Sequence, residues 1–344
     1  MKRILLITLL ILFLIFGGTV LYLSCTEGGL RWLFYASTGY IPGEVSVTSL
    51  SGRLIGPIEI AGLKYRAEGF TISIDQFSTD WKPLELLSLR AHIAKLEAFG
   101  VRILTKAAKE PPPAKPQLPH LRLPLEIVIE DARVRGISVK TVESDGTFEI
   151  GEVSLAAHLF REEFRVHRLN VNAPLFALSL AGNLTPQGDY PLDMDVQWSL
   201  RLPGYSPIAG SGRLSGSLAQ LDVTQTVDSP AKARIAATLF KPLEKVRWEA
   251  SLHLDALQVA AIREGFPHVA LTGKVDSSGT PGVFDLRGSF ASSWPQYGNI
   301  TGDFLGEQRD GVWKLEKLLL AVPGTEARVT LRGTFGQAAA PPSF

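Results

Sequence analysis

The sequence predicts a mainly β protein with an N-terminal transmembrane helix and few short helices. Two observations lead to this prediction. Ile4 to Leu23 form one almost wholly apolar, uncharged run, and from Val45 onward apolar and polar residues alternate in short runs. Glycine (32 residues) and proline (22 residues) separate these runs, which is typical of strands joined by turns.

The apolar run at the N-terminus is long enough to cross a bilayer. Twenty helical residues span about 30 Å, which is the thickness of the hydrocarbon core. Lys2 and Arg3 precede the run, and positive charge favours a cytoplasmic N-terminus. We therefore predict a single-pass signal anchor over residues 1–25, with the bulk of the chain outside the inner membrane. Two alternatives remain, a lipoprotein acylated at Cys25 and a cleaved signal peptide.

Residues 26–105 are predicted to form an N-terminal β segment that contains short helices. Trp32, Phe34 and Tyr35 cluster beside Arg31, which suits a short helix at the headgroup level of the membrane. A helix that caps the first strands is an equal alternative. A helical turn is predicted within Trp81–Leu89, where Pro83 suits a first helical position.

Alternation with a period of two predicts the strands that follow. Clear runs are Asp193–Leu200, Val246–Asp255, Val283–Phe290 and Val329–Phe335. This period gives each strand one apolar and one wet face, a pattern that antiparallel sheets tolerate well. A turn is predicted at Ser277–Gly282, and Gly210–Arg213 is predicted to be a turn that opens a strand.

A proline-rich stretch divides the β segments. Residues 106–124 contain six prolines together with lysine and glutamate, and proline cannot donate to a strand ladder. We predict an exposed, polyproline-like linker here, followed by a repetitive β-sheet segment over 125–344.

Charge and composition argue against several classes of function. Lysine and arginine number 35 against 34 acidic residues, so no basic surplus indicates a nucleic-acid partner. The single cysteine, Cys25, excludes an intramolecular disulfide and a site of four thiolates. The six histidines show no metal-ligand spacing, and no nucleophile elbow or phosphate-binding loop occurs. We therefore predict no enzyme activity, no cofactor and no metal.

Several short motifs resemble one family. In order, they are the positively started anchor, Thr26–Leu30, the aromatic helix, Ile41–Gly43, Leu50–Leu54, Ile58–Tyr65, Asp80–Trp81 and Leu96–Ile103. This succession resembles the N-terminal part of TamB-type translocation and assembly module subunits. It is more distantly similar to the AsmA-like, bridge-like lipid transfer group. The resemblance is best over residues 1–105 and rests on generic strand repeats beyond them.

The resemblance implies a fold and a function. It implies an inner-membrane anchor followed by an elongated, curled sheet with a taco-like apolar groove, in the periplasm. It also implies phospholipid transport between the inner and outer membranes, and envelope biogenesis, without catalytic residues. Family members are longer, so we expect a truncated chain that lacks the C-terminal region for a TamA-like outer-membrane barrel partner. An alternative is a chaperone-like subunit that assembles outer-membrane barrels or autotransporters by strand pairing, and another is a structural spacer.

Physical reasoning independently favours an apolar groove as the lipid site. Exposing the roughly 30 methylenes of a two-tailed lipid to water costs about 0.8 kcal/mol each, so only a continuous apolar path makes transfer feasible. Stacked strands that give alternate residues to one face build such a path. The candidates for its lining are Phe176, Leu178, Leu180, Met194, Val196, Trp198, Leu200, Val246, Trp248, Leu252, Leu254, Phe284, Leu286, Phe290, Val329, Leu331 and Phe335. The alternative is a closed sandwich or barrel core built from the same residues. Alternation does not distinguish the two, and the family resemblance favours the groove.

Overall fold

The computed structural model describes residues 2–105, 124–141, 146–296 and 298–336, with side chains from Ile11 onward. Its described residues are mainly β: nineteen strands follow two α-helices and accompany two short 3₁₀ helices, Pro83–Ser88 and Val259–Ala261. The predicted fold class is therefore confirmed. The described residues up to Pro174 cluster into one compact unit, and those from Leu175 onward cluster into a second.

The N-terminal helices meet at a sharp bend. α1 is Lys2–Cys25 and α2 is Glu27–Thr38, and their axes lie at 88°. Thr26 caps α2, because its hydroxyl accepts a hydrogen bond from the Gly29 amide at 3.0 Å and donates one to the Tyr22 carbonyl at 2.7 Å. Among the described residues from Ile11 onward, neither helix alone has the length and apolarity of a membrane span, whereas the bent pair together does.

α2 corresponds to the predicted aromatic helix, and it packs on the first strands. Leu30 is buried, and the guanidinium of Arg31 donates to the carbonyl of Leu50 at 3.1 Å. Trp32 and Tyr35 remain exposed on the other side of the helix. The helix therefore caps the sheet, as one alternative predicted, and keeps its aromatic side free.

The strands of the first unit form a continuous set of pairings. They are β1 (Glu44–Ser46), β2 (Ser49–Gly52), β3 (Ile58–Ala67), β4 (Phe70–Trp81), β5 (Arg90–Thr105), β6 (Glu126–Thr141), β7 (Thr147–Phe160) and β8 (Glu163–Asn172). β1 and β2 both pair with β3, and each later strand pairs with the next. The predicted helical turn is present as the 3₁₀ helix Pro83–Ser88 between β4 and β5.

One pairing departs from the antiparallel pattern that the alternation predicts. β5 and β6 are parallel, with Ala98 beside Val134. Parallel neighbours need a connection long enough to return to the starting end of the sheet. The segment between Thr105 and Glu126 has that length, and it contains the predicted proline-rich linker. Except for Pro124, that linker lies outside the described residues.

One row of residues on the first unit shows how its apolar face is built. The row consists of Leu50, Ile60, Phe77, Ala98, Val134, Val153 and Val171, each paired with the next across neighbouring strands. Directly paired residues share one face of a sheet. Leu50 and Ala98 are buried.

The second unit is an antiparallel series of eleven strands. They are β9 (Phe176–Leu184), β10 (Leu192–Leu200), β11 (Ile208–Gly216), β12 (Gln220–Ser229), β13 (Lys232–Phe240), β14 (Arg247–Gln258), β15 (Ala270–Thr280), β16 (Val283–Trp294), β17 (Gly298–Arg309), β18 (Val312–Ala321) and β19 (Arg328–Gly336). Each pairs with the next, from β9 to β19.

One predicted turn is wrong and another is shorter than predicted, because pairing overrides glycine content. Gly210–Arg213 lies inside β11, where Gly210 pairs with Trp198 and Val227. Ser277–Thr280 continues β15, and the turn is confined to Pro281 and Gly282. In both places a neighbouring strand satisfies the backbone groups, which favours the extended chain over a turn.

Candidate functional site

The strand register of the second unit aligns its apolar residues on one face. One row consists of Leu178, Trp198, Gly210, Val227, Ala233, Leu254, Gly273, Phe290, Gly302, Leu320 and Val329, each paired with the next. A second row consists of Leu184, Leu192, Gly216, Leu221, Leu239, Trp248, Gly279, Phe284, Gln308, Trp313 and Phe335. We call the surface formed by these and the parallel rows between them the apolar face.

The structure places the sequence-predicted residues on this one face. All of them except Val246 lie in strands and share its alternation, and Val246 comes directly before β14. Val196 is buried, whereas Val329, Leu331 and Phe335 in β19 are exposed. The others are half-buried. Their common face is an observation, and their contact with a lipid stays a prediction.

The burial of this face is shallow for a protein core. Among the residues that the structure describes, no large side chain is completely buried. Of the apolar residues described in the second unit, only Val196, Ala233 and Val269 are buried. A filled sandwich of this size would enclose many fully buried leucine, isoleucine and phenylalanine side chains. The apolar face therefore differs from the interior of a closed core.

Aromatic side chains connect neighbouring strands across the apolar face. The Trp248 and Phe284 rings lie 5.5 Å apart, and Phe284 meets Trp313 edge-on at 5.3 Å. The indole N–H groups find partners on the same face. Trp198 donates to the Gln225 amide oxygen and Trp248 to the Ser277 hydroxyl, both at 3.0 Å. The N–H groups of these two indoles are thus hydrogen-bonded within the face.

Sequence reasoning missed several members of the apolar face. They are Ile235, Leu239, Phe304, Trp313, Leu318 and Leu320. Trp313 and Leu315 do alternate with charged residues, but the register of β18 shifts between Leu315 and Leu318. This irregularity interrupts the period of two that identified the other strands.

The opposite face of the second unit is charged. Asp193 accepts hydrogen bonds from Arg213, which lower the pKa of Asp193, and Lys314 donates to Glu307, which raises the pKa of Lys314. A depression of about 910 Å³ opens on this face. Its charged lining consists of Asp222, Glu249, Asp276, Asp285, Arg287, Glu307 and Glu316. Asp276, Asp285, Glu307 and Glu316 are paired with lysine or arginine side chains, so this charged concavity does not suit an apolar ligand.

Comparison with known families decides the relationship of the chain. The family model described as TamB, N-terminal domain, matches residues 16–117 and 105–338. The chain belongs to this TamB N-terminal domain family. No curated protein and no solved structure matches the chain. The family match extends the resemblance of residues 1–105 through most of the second unit.

The first unit of this TamB N-terminal domain contains a histidine cluster that the sequence pattern did not reveal. His92 is buried between Glu85, 3.0 Å from its Nδ1, and Glu130, 2.6 Å from its Nε2. Both imidazole nitrogens thus lie within hydrogen-bond distance of a carboxylate. Within the described residues, no group of three or more histidine, cysteine or acidic side chains is arranged to hold a metal ion.

A second acidic group lies beside this cluster. Glu126 binds Arg90 at 2.8 Å and His158 at 2.6 Å, and the hydrogen bond from Arg90 is the main reason that the pKa of Glu126 is lowered. His158 is half-buried against this carboxylate. Because these groups bind one another, they hold β5, β6 and β7 together.

Proposed function

We propose that this TamB-type chain carries phospholipid on its apolar face. In this proposal α1 and α2 anchor the chain in the inner membrane, with the N-terminus in the cytoplasm, and the β units lie in the periplasm. The observation that supports it is the in-register apolar surface across eleven strands, which is only partly buried. TamB-type proteins are not known as enzymes, which agrees with a binding role.

The magnitudes favour a lipid as the ligand. Burying a two-tailed lipid with roughly 30 methylenes gains about 25 kcal/mol relative to water. Ten spacings of about 4.8 Å between β9 and β19 make the apolar face about 48 Å long, so neighbouring positions can accept the same acyl chain in turn. A ligand that slides along such a surface exposes little additional apolar area at each step.

A matched pair of substitutions in β14 tests the proposal. Leu252 lies on the apolar face between Ile235 and Val275, whereas His253 lies on the charged face. We expect Leu252→Asp to fold and to lose most of its co-purified phospholipid, measured by mass spectrometry. His253→Asp keeps the lipid. A photo-crosslinking residue at 252 is expected to label phospholipid, and one at 253 is not.

Other results of this experiment, extended by a photo-crosslinking residue in β19, would support other functions. Loss of folding in Leu252→Asp, without lipid crosslinks at 252, indicates a closed core. Crosslinks from β19 to a barrel precursor, with no lipid on either face, indicate assembly by strand pairing. Absence of both ligands indicates a spacer.

A further inference from the structure

Four leucines lie exposed on one short segment of the first unit. The segment, which we call the leucine loop, comprises residues 83–89 and includes the 3₁₀ helix Pro83–Ser88. Leu84, Leu87 and Leu89 are 73%, 88% and 64% exposed, and Leu86 is also exposed. Connections between strands usually carry polar residues outward, and a concentrated apolar patch indicates a binding surface.

The leucine loop is held firmly in this orientation. Between the leucines, the carboxylate of Glu85 binds the buried His92 at 3.0 Å. The Lys82 amide donates to the His92 carbonyl, and the Glu126 amide donates to the Leu89 carbonyl, both at 2.8 Å. The Glu85 side chain thus faces the sheet, while the leucines on either side of it face outward.

Strand register places the leucine loop at the same end of the sheet as α1. The loop between β2 and β3 leaves this end, and its Ile55 amide donates to the carbonyl of Ser24 in α1 at 3.2 Å. β4 leaves the same end, because Ile58 at the start of β3 pairs with Thr79 near the end of β4. Only β3 separates β2 from β4, so these strands lie about 10 Å apart.

Other apolar side chains share this end of the first unit. Ile55 is exposed, and so is Phe160 at the end of β7, where the guanidinium of Arg161 in the following turn lies 5.0 Å from the ring centre. In α2, which follows α1 directly, Trp32 and Tyr35 are also exposed. Aromatic and basic residues around an apolar patch are typical of surfaces that meet lipid headgroups.

We infer that the leucine loop is a second membrane contact, which inserts Leu84, Leu87 and Leu89 into the bilayer surface that α1 and α2 meet. The inference rests on the membrane anchoring in the proposed function, but not on lipid transport. A lipid surface is favoured over a protein partner because the patch continues the end of the sheet to which the apolar helix α1 is hydrogen-bonded. The contact would hold this end of the sheet against the membrane.

A fluorescence experiment on the full chain tests this contact. In a Cys25→Ser background, Leu87→Cys and Glu68→Cys are each labelled with an environment-sensitive dye. Glu68 is an exposed residue of the β3–β4 turn, at the opposite end of β3 and β4. The chain is reconstituted into phosphatidylethanolamine–phosphatidylglycerol vesicles with and without lipids that carry a nitroxide quencher on the acyl chain. We expect quenching at 87 at least threefold stronger than at 68.

Two further measurements separate the possible outcomes. Replacing Leu84 and Leu89 by serine, with Glu85 retained, is expected to reduce the quenching at 87 at least twofold while the circular dichroism spectrum stays unchanged. Equal quenching at 87 and 68, or crosslinks from 87 to an envelope protein alone, would overturn the inference. Lipid crosslinks at 252 report on the apolar face separately, so either idea can fail without the other.

Discussion

At the scale of single residues, large rings on the apolar face lie over glycines. A Cβ atom at Gly210 would be 2.9 Å from Cζ2 of Trp198, and one at Gly302 would overlap the ring of Phe290. Glycine therefore leaves room for a ring that lies along the sheet rather than standing away from it. This arrangement explains why glycines occur inside strands that the sequence pattern marks as turns.

The glycine beneath Phe290 is expected to matter for stability. Gly302→Ala places a methyl group where the Phe290 ring lies and 3.1 Å from Leu320 Cδ2, so we expect a loss of about 1–3 kcal/mol through overpacking. Urea unfolding of the full chain in detergent measures the change. Gly333→Ala is the control, because its Cβ would meet Phe335 at 3.6 Å, an ordinary contact, and we expect about 0.5 kcal/mol or less. Equal losses would contradict the proposed packing.

The carboxylate of Glu126 is expected to make stability depend on pH. Its pKa is lowered in the folded chain, chiefly by the hydrogen bond from Arg90 and also by His158. Its stabilising effect is therefore present above the unfolded pKa of about 4.3 and is lost as pH falls through the lower folded value. The difference in the free energy of unfolding between the wild type and Glu126→Gln should decrease between pH 5 and pH 3, measured in unfolding titrations.

A control for Glu126 is Glu326→Gln, which removes an acidic group from an exposed turn. We expect the difference in the free energy of unfolding between Glu326→Gln and the wild type to show no comparable change over the same pH range. A difference for Glu126→Gln that stays constant down to pH 3 would contradict the role assigned to the Arg90 pair.

At the scale of elements, an aligned irregularity crosses five strands of the first unit. Gly62, Asp75, Gly100, Gly136 and Gly151 lie opposite one another in β3 to β7 and drop out of the regular pairing. Gly62, Gly100 and Gly136 have φ of 62°, 68° and 65°, a conformation that glycine adopts at little cost. Each of these strands contains one additional residue at this level, so that its alternation shifts by one position. The apolar residues before and after the irregularity therefore stay on the same side of the first unit's sheet.

Alanine substitutions at two of these glycines distinguish the cost of backbone strain from the cost of a side-chain collision. Both Gly100→Ala and Gly136→Ala force an alanine into the left-handed region, which costs about 1–2 kcal/mol. At Gly136 the nearest atom to a new Cβ is 3.7 Å away, whereas at Gly100 the Cβ would overlap the Asp75 carboxylate, which also binds Arg102. We expect Gly100→Ala to cost at least 1 kcal/mol more in urea unfolding. An equal or smaller cost would show that Asp75 moves aside freely.

At the scale of the whole molecule, the strands of each unit contact mainly their direct neighbours. In the second unit, extensive contacts among the described residues join consecutive strands from β9 to β19. Such a series resembles a repeat protein, in which stability is nearly a sum of neighbouring interfaces. Local opening can then occur without unfolding of the entire unit.

Hydrogen exchange is expected to reveal this series. Among the described residues, β19 pairs with β18 alone, whereas β13 pairs on both sides with β12 and β14. We expect the amides of β19 to exchange at least tenfold faster than those of β13, with β16 to β18 between them, in mass spectrometry of the full chain in micelles. Uniform protection from β13 to β19 would instead indicate one cooperative unit.

Much of the fold follows from local pattern. The apolar run predicts the N-terminal helix, Pro83 predicts the turn before β5, and alternation predicts β10, β14, β16 and β19, because these signals act within a few residues. The parallel pairing of β5 with β6 and the strand position of Gly210 were not predictable in this way. Both depend on which strand lies alongside. The partner of β5 follows a long connection, and Gly210 lies beneath the ring of Trp198 in the neighbouring strand.

Local pattern in the chain is enough to predict a mainly β protein, strands with one apolar side, and a resemblance to the TamB type. The folded structure adds that the apolar sides of eleven strands coincide, that this face stays half-buried, and that the leucines of residues 83–89 point outward. These features need the fold because alternation specifies which residues of one strand share a side, whereas register specifies which strands share a face. Register arises from pairing between strands, and no single strand contains it.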